Sequence, residues 1–135
     1  MSLGTLNHIT ITVTDMARSA PFYDSVLEFM GYFRDETRTD WISWVKLGTC
    51  AFLIIPADPG SPNSAHDRYS PGLHHLAFDA QSREEVDGLY RVLEGIGAPV
   101  LDPPAEYDYC PGYYAVFFAD PDGIKLELCH TPGNY

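Results

Sequence analysis

The sequence predicts an α+β fold in which two tandem βαβββ modules form a curved mixed sheet, with helices on its outer face and a concave cleft on the other. Two strand-like segments, residues 6–9 and 73–76, begin alike, and each has a histidine at its third position. Each is followed by a helical pattern that ends in the spacing Leu-Glu-x-x-Gly, and then by three strand candidates. This repeated order indicates an internal duplication.

The first module is predicted over residues 6–56. Residues 6–14 alternate as a strand with one buried face does, because Ile or Val occupies every second position over residues 9–13. His8 has the opposite parity, so it is predicted to point away from the main apolar side.

A helix is predicted from a cap at Asp15 to Met30, where apolar residues recur at helical spacing. Pro21 is discordant, because a proline inside a helix removes a hydrogen bond and clashes with the preceding turn. It indicates a kink or the first turn of the main helical segment. Three strand candidates complete the module, at residues 32–36, 40–47 and 50–56.

A segment rich in Pro, Gly, Ser and Asn, residues 57–72, is predicted to link the modules within a single domain of 135 residues. The second module, residues 73–130, begins with a strand over 73–80. A capping box at residues 82–85 predicts the start of its helix. A short strand near residues 99–101 is predicted next, followed by a loop that carries Pro103, Pro104 and Pro111.

The last two strands form the clearest hairpin in the sequence. Residues 113–119 and 124–129 flank an Asp-Pro-Asp-Gly segment, residues 120–123, whose Pro and Gly suit a tight turn. On the second strand, three apolar residues share one parity and Glu127 lies on the other.

His8, His75 and Glu127 all lie on the parity opposite the dominant apolar stripe. If helices cover the apolar face, the three side chains point together into the concave face. Two imidazoles and one carboxylate are the ligands of a facial triad, which suits Fe, Mn, Ni or Zn and leaves coordination positions open. A single strand histidine is more often a structural residue. The equivalent placement of two histidines in the repeat favours a metal site.

Four motifs carry a resemblance to a known family. They are the strand that begins Asn-His-Ile-Thr at residues 7–15, the Phe22-Tyr23 pair, the Gly-Leu-His-His segment of residues 72–78, and the Asp-Pro-Asp-Gly-x-x-x-Glu motif within residues 120–128. In these motifs the chain resembles the vicinal oxygen chelate superfamily, the group of glyoxalase I, bleomycin- and fosfomycin-resistance proteins and extradiol dioxygenases.

The resemblance implies a divalent metal held by His8, His75 and Glu127, which chelates adjacent oxygens of a small, partly apolar substrate. The implied reaction is that of a lyase or isomerase, a ring-cleaving dioxygenase or a group-transfer enzyme. Tyr113 or Tyr114 could donate a hydrogen bond or proton to a metal-bound oxyanion, as one tyrosine does in the dioxygenases. The alternative, favoured for each tyrosine taken singly, is that these rings only line an apolar pocket. A homodimer is the implied assembly.

The chain departs from the family pattern at a fourth position, on the last strand of the first module. Residues 51–55 contain no side chain that binds a hard metal. In glyoxalase I this position holds a glutamate that binds the metal and is implicated in proton transfer. The absence of this glutamate disfavours true glyoxalase I chemistry.

Two rival functions follow from the same pattern. A non-catalytic protein of the bleomycin-resistance type would sequester an apolar or cationic compound in a metal-free cleft, and a structural interaction domain would fill the cleft with side chains.

Eight basic residues against nineteen acidic ones leave a net charge of −11, which disfavours nucleic acid and anionic membranes as partners. We expect a cytoplasmic protein, because the sequence shows no signal peptide or membrane span.

Overall fold

The computed structural model describes residues 2–61 and 65–133. These residues form two compact units, the first over 2–61 and the second over 65–133. The first unit contains β1 (His8–Val13), α1 (Met16–Phe29), β2 (Phe33–Thr37), β3 (Ile42–Val45) and β4 (Ala51–Pro56). The second contains β5 (Leu76–Asp79), α2 (Arg83–Ile96), β6 (Val100–Glu106), β7 (Tyr114–Ala119) and β8 (Lys125–His130). The predicted α+β fold with two βαβββ modules is confirmed.

Both units build the same kind of four-stranded mixed sheet. Strand order is β1-β4-β3-β2 in the first unit and β5-β8-β7-β6 in the second. In each, the first strand pairs in parallel with the last strand of its own unit, and the remaining pairs are antiparallel. The first strand of a unit therefore lies beside the last one, which brings His75, the residue before β5, close to the strand that carries Glu127.

Helix α1 is capped by Asp15, whose side chain accepts a hydrogen bond from the backbone N–H of Ala17 at 2.9 Å, as the sequence predicts. The helix continues through Pro21, which is exposed. It packs on β2, β3 and β4. Its Tyr23 ring lies 5.0 Å from Phe52 and 6.0 Å from Trp44, centre to centre, within the core of the first unit.

Helix α2 begins with the predicted capping box. The Glu85 N–H donates to Ser82 Oγ at 3.2 Å, and the Glu85 carboxylate accepts from the Gln81 N–H at 2.7 Å. The helix packs on β6, β7 and β8. Seven large core side chains of the second unit are at most 2% exposed: Val86, Leu89, Leu93, Val116, Phe118, Leu126 and Leu128.

Strand β6 is longer than the sequence predicts and runs through Pro103 and Pro104. The expectation of a loop there is wrong, because β6 lies at the edge of its sheet and a proline on an edge strand need not donate to a neighbour. Its pairing with β7 shifts register around Asp102 and again before Ala105, which marks bulges beside the prolines.

Of the predicted linker, residues 57–61 and 65–72 form turns and bends without helix or strand, and residues 62–64 lie outside the described residues. No helix in the described part of the chain is long and apolar enough to cross a membrane.

The turn between β7 and β8 is held by a buried aspartate. The Asp120 carboxylate is 1% exposed and accepts hydrogen bonds from the N–H groups of Asp122 and Ile124, both at 2.9 Å. Gly123 has φ +81°, a conformation that glycine adopts without steric cost. The predicted hairpin is confirmed, and Asp120 fixes how the two strands meet.

We expect Asp120→Ala to lower the free energy of unfolding by about 1–3 kcal/mol, because two backbone N–H groups lose their acceptor in a buried turn. Asp120→Asn keeps an acceptor oxygen and should cost less. Urea unfolding of the three proteins measures both values. Equal stability of the alanine variant and wild type would contradict this role of Asp120.

Candidate functional site

Glu127 lies in the middle of β8 with only 2% of its surface exposed. It pairs with Ala77 on β5 and with Phe117 on β7. Tyr114, on the opposite parity of β7, contacts helix α2 through Asp87, so Glu127 lies on the sheet face away from that helix. This placement is the one that strand alternation predicts.

His75 lies directly before β5 and meets Glu127. Its Nε2 atom is 3.2 Å from Glu127 Oε1. Its other ring nitrogen, Nδ1, lies 2.7 Å from Nδ1 of His74, whose ring packs against Tyr69 at 5.6 Å. Two of the three predicted metal ligands are therefore in contact in the second unit.

Tyr113 contacts the second oxygen of the same carboxylate. Its hydroxyl donates a hydrogen bond to Glu127 Oε2, and the residue is 7% exposed. Burial, reinforced by the neighbouring Glu127 carboxylate, raises the pKa of Tyr113 far above its ordinary value. The phenol is therefore a neutral hydrogen-bond donor at physiological pH.

Tyr114, the other tyrosine singled out in the sequence, lies elsewhere. Its hydroxyl donates to Asp87 Oδ1 at 2.7 Å, on the side of the sheet that faces α2. The structure thus brings Tyr113 to Glu127 and directs Tyr114 away from it.

Aromatic rings and a thiol surround this carboxylate. Tyr107 packs edge-on against Phe117 at 5.3 Å and stacks on Tyr109 at 5.5 Å, and Tyr109 in turn meets Tyr113 at 5.0 Å. Residues 106–112 line a cavity of about 400 Å³. One face of the second unit therefore combines an apolar aromatic wall with polar groups that can bind a ligand.

Cys129 follows Glu127 on the same face of β8 and is 7% exposed. Its Sγ atom lies 3.6 Å from the carbonyl oxygen of Phe78, to which the thiol donates. Burial raises the pKa of the Cys129 thiol, so the group is protonated at neutral pH.

His8 lies at the exposed start of β1 in the first unit. Its Nδ1 atom is 2.7 Å from Asn7 Oδ1, and its partner on β4 is Ala51. Within either unit taken by itself, the described residues hold no group of three His, Cys, Asp or Glu side chains that could bind a metal. The second unit supplies two of the predicted ligands, and His8 belongs to the first.

The second unit supplies two side chains of the types that bind divalent metals. An imidazole nitrogen and a carboxylate oxygen face each other, and both are ordinary ligands of Fe, Mn, Ni and Zn. Tyr113 holds the other carboxylate oxygen, which is how an outer hydrogen bond orients a metal-binding carboxylate.

The pairing of Tyr113 with Glu127 is not among the features predicted from the sequence, in which this tyrosine is expected only as a donor to a metal-bound oxyanion. A signal for the pairing exists in the hairpin. Phe117 is the partner of Glu127, and Tyr113 shares the parity of Phe117, so counting residues back from the turn places both on one face.

The model of the Glyoxalase/Bleomycin resistance protein/Dioxygenase superfamily matches residues 5–128. Among curated relatives, the uncharacterized protein YqjT of Bacillus subtilis is 35% identical over 127 residues, which cover 91% of this chain and 96% of that protein. The metallothiol transferase FosB of Bacillus licheniformis is 25% identical, with 93% of this chain and 74% of FosB covered.

A crystal structure of a candidate glyoxalase from Bacillus halodurans is similar to this chain with a TM-score of 0.82 and 32% identity. The match covers 96% of this chain and 97% of that protein.

We expect Tyr113 not to ionise near pH 10, the ordinary value for tyrosine. The ultraviolet absorbance of wild type and of Tyr113→Phe is followed as the pH rises, and one titration is subtracted from the other. While the protein is folded, the difference should show no phenol that ionises near pH 10. Because the folded pKa lies above the unfolded one, the stabilisation from neutral Tyr113 is complete below about pH 10 and declines as the pH rises further.

Glu127→Gln is the matched variant for this titration. It removes the carboxylate that helps to raise the pKa of Tyr113, so the pKa should fall, while burial, the larger cause, keeps it above the ordinary value. If wild type shows an ionisation near pH 10 that is absent from Tyr113→Phe, the raised pKa of Tyr113 is contradicted.

Proposed function

The chain belongs to the glyoxalase/bleomycin resistance protein/dioxygenase superfamily, and we propose that it is an enzyme that binds a divalent cation through His8, His75 and Glu127. One observation carries the proposal: the 3.2 Å approach of the His75 imidazole to the buried Glu127 carboxylate. A buried carboxylate is costly without a compensating cation, and a metal would supply that charge.

His8 is the proposed third ligand. It lies on the exposed face of β1, opposite the parity that buries Ile11 and Val13 in the first unit. It holds the same place in the repeat as His75, whose contact with Glu127 is observed. The support for His8 is therefore this equivalence and its exposure, which leaves the ring accessible.

The bound metal would act as a Lewis acid for two adjacent oxygens of a small substrate. Tyr113 keeps the Glu127 carboxylate oriented, since its hydroxyl remains a neutral donor to Oε2. The stacked rings of Tyr107 and Tyr109 offer an apolar surface beside Tyr113 and suit a partly apolar substrate. We place the reaction among metal-dependent lyase, isomerase, dioxygenase or group-transfer chemistry.

Glyoxalase I chemistry is disfavoured by strand register. In the second unit, Glu127 pairs with Ala77, two residues after His75. In the first unit, the residue two after His8 is Thr10, and it pairs with Leu53. Leu53 thus stands where a second carboxylate would be required, so the proton transfers assigned to that carboxylate have no counterpart in this chain.

A metal-free sequestering protein is the second candidate. The cavity at residues 106–112 and the acidic net charge favour it, since aromatic rings and carboxylates suit an apolar or cationic compound. It requires no bound metal, so metal binding distinguishes the two.

We expect wild type to bind one divalent cation per chain, with Mn²⁺, Fe²⁺, Ni²⁺ and Zn²⁺ as the ions to compare. Glu127→Gln, His75→Gln and His8→Gln should each weaken binding by at least about a hundredfold, because each removes a ligand. Calorimetric titration of chelator-treated protein measures the affinity.

Glu94→Gln is the charge-matched control for Glu127→Gln, since Glu94 is exposed on α2, and it should bind metal as wild type does. If wild type binds none of the four ions, the proposal of a metal-dependent enzyme is wrong and the metal-free sequestering protein remains. Normal binding by His8→Gln would remove His8 from the site.

We further propose that the protein works as a homodimer in the cytoplasm. The support is the family resemblance and the pattern of the sequence. Sedimentation equilibrium should give twice the chain mass, and a monomer at all concentrations would contradict the dimer.

A further inference from the structure

Lys125 lies on the same sheet face as Glu127, two residues earlier on β8. It directly precedes Leu126, whose partner on β5 is Leu76, and His75 directly precedes Leu76. Lys125 and His75 therefore stand at the same level of neighbouring strands. Two residues along a strand span about 6.6 Å, so the Lys125 ammonium is within reach of a ligand held at Glu127.

Phe117 joins these groups. The Lys125 Nζ atom lies 4.5 Å from the centre of the Phe117 ring, and the His75 ring lies 6.3 Å from the same ring. Phe117 is also the strand partner of Glu127. The ammonium thus lies against the aromatic wall of the candidate site.

Among the residues that the structure describes, Lys125 has no partner anion, unlike three of the arginines. Arg34, Arg38 and Arg83 each form a salt bridge with a carboxylate. Within residues 2–61 and 65–133, Lys125 has no carboxylate at salt-bridge distance, although the chain carries nineteen acidic residues. A half-buried cation without an anion, in an acidic protein, is well placed to receive an anion from a ligand.

We propose that Lys125 binds an anionic group of the substrate, a carboxylate, phosphate or phosphonate, separated by a few bonds from the two oxygens that the metal chelates. The inference rests on the proposed function for the chelated oxygens, while the anion contact itself is a property of the second unit alone. It narrows the substrate to a small molecule with vicinal oxygens, an apolar body and one negative charge.

The acidic net charge does not oppose this assignment. Long-range repulsion between exposed charges is screened beyond roughly 8 Å at physiological salt. A cation at short range then decides whether an anion binds. The Lys125 ammonium provides three donors for such a group.

The test uses two probes of the same shape, 3,4-dihydroxybenzoate and its neutral amide, 3,4-dihydroxybenzamide. Both present vicinal oxygens, and only the first carries a carboxylate. Calorimetry measures their affinities for the full chain with and without Mn²⁺. Wild type should prefer the carboxylate by about tenfold, the size expected of one charge-assisted hydrogen bond.

Lys125→Gln should abolish this preference, and Lys125→Arg should retain it, because arginine keeps a cationic donor. Arg91→Gln removes one positive charge from an exposed position of α2 and should behave as wild type. Circular dichroism checks that each variant is folded. If Lys125→Gln does not fold, Lys125→Arg still tests the inference.

A preference that survives in Lys125→Gln, or is lost in Lys125→Arg, overturns the inference. So does a wild type that does not distinguish the probes or binds neither. Affinities that do not depend on Mn²⁺ count against the proposed metal enzyme, whereas loss of the carboxylate preference in Lys125→Gln still supports the anion contact. Failure of the proposed metal enzyme and failure of the proposed anion contact therefore give different results.

Discussion

The arrangement of the second unit depends on compensating one buried negative charge. Removing a carboxylate such as that of Glu127 from water costs several kcal/mol unless its oxygens find donors or a cation. His75 meets one oxygen and Tyr113 the other. Since these residues come from three segments of the chain, the parallel β5–β8 pair and the β7–β8 hairpin must both hold their register for the charge to remain compensated.

Most of the fold could be predicted from alternation and caps. The parity of β1 and β8, the capping box of α2 and the Asp-Pro-Asp-Gly turn are local patterns, and each has the predicted structure. The sequence predicts only the start of strand β6, because Pro103 and Pro104 normally argue against a strand. What permits them is the edge position of β6, which depends on the order of strands and not on nearby residues.

Only part of the candidate site follows from the sequence. Parity predicts the face on which His75 and Glu127 lie, yet their 3.2 Å contact depends on which residues of β5 and β8 are level with one another. The same holds for Leu53, because the sequence shows that residues 51–55 lack a hard-metal ligand, whereas register identifies the single position that corresponds to Glu127. Tyr113 and Tyr114 are adjacent and alike in the sequence, and only strand pairing separates their surroundings.

The burial of Cys129 has a consequence for how the site withstands oxidants. Thiolates react with peroxides far faster than thiols do, and burial raises the pKa of Cys129 while limiting access to its sulfur. A sulfinic or sulfonic acid at this position would add a charged, bulky group one side chain away from Glu127 on the same face. A buried, protonated sulfur is oxidised slowly, so the packing of β8 disfavours the appearance of such a charge beside the Glu127 carboxylate.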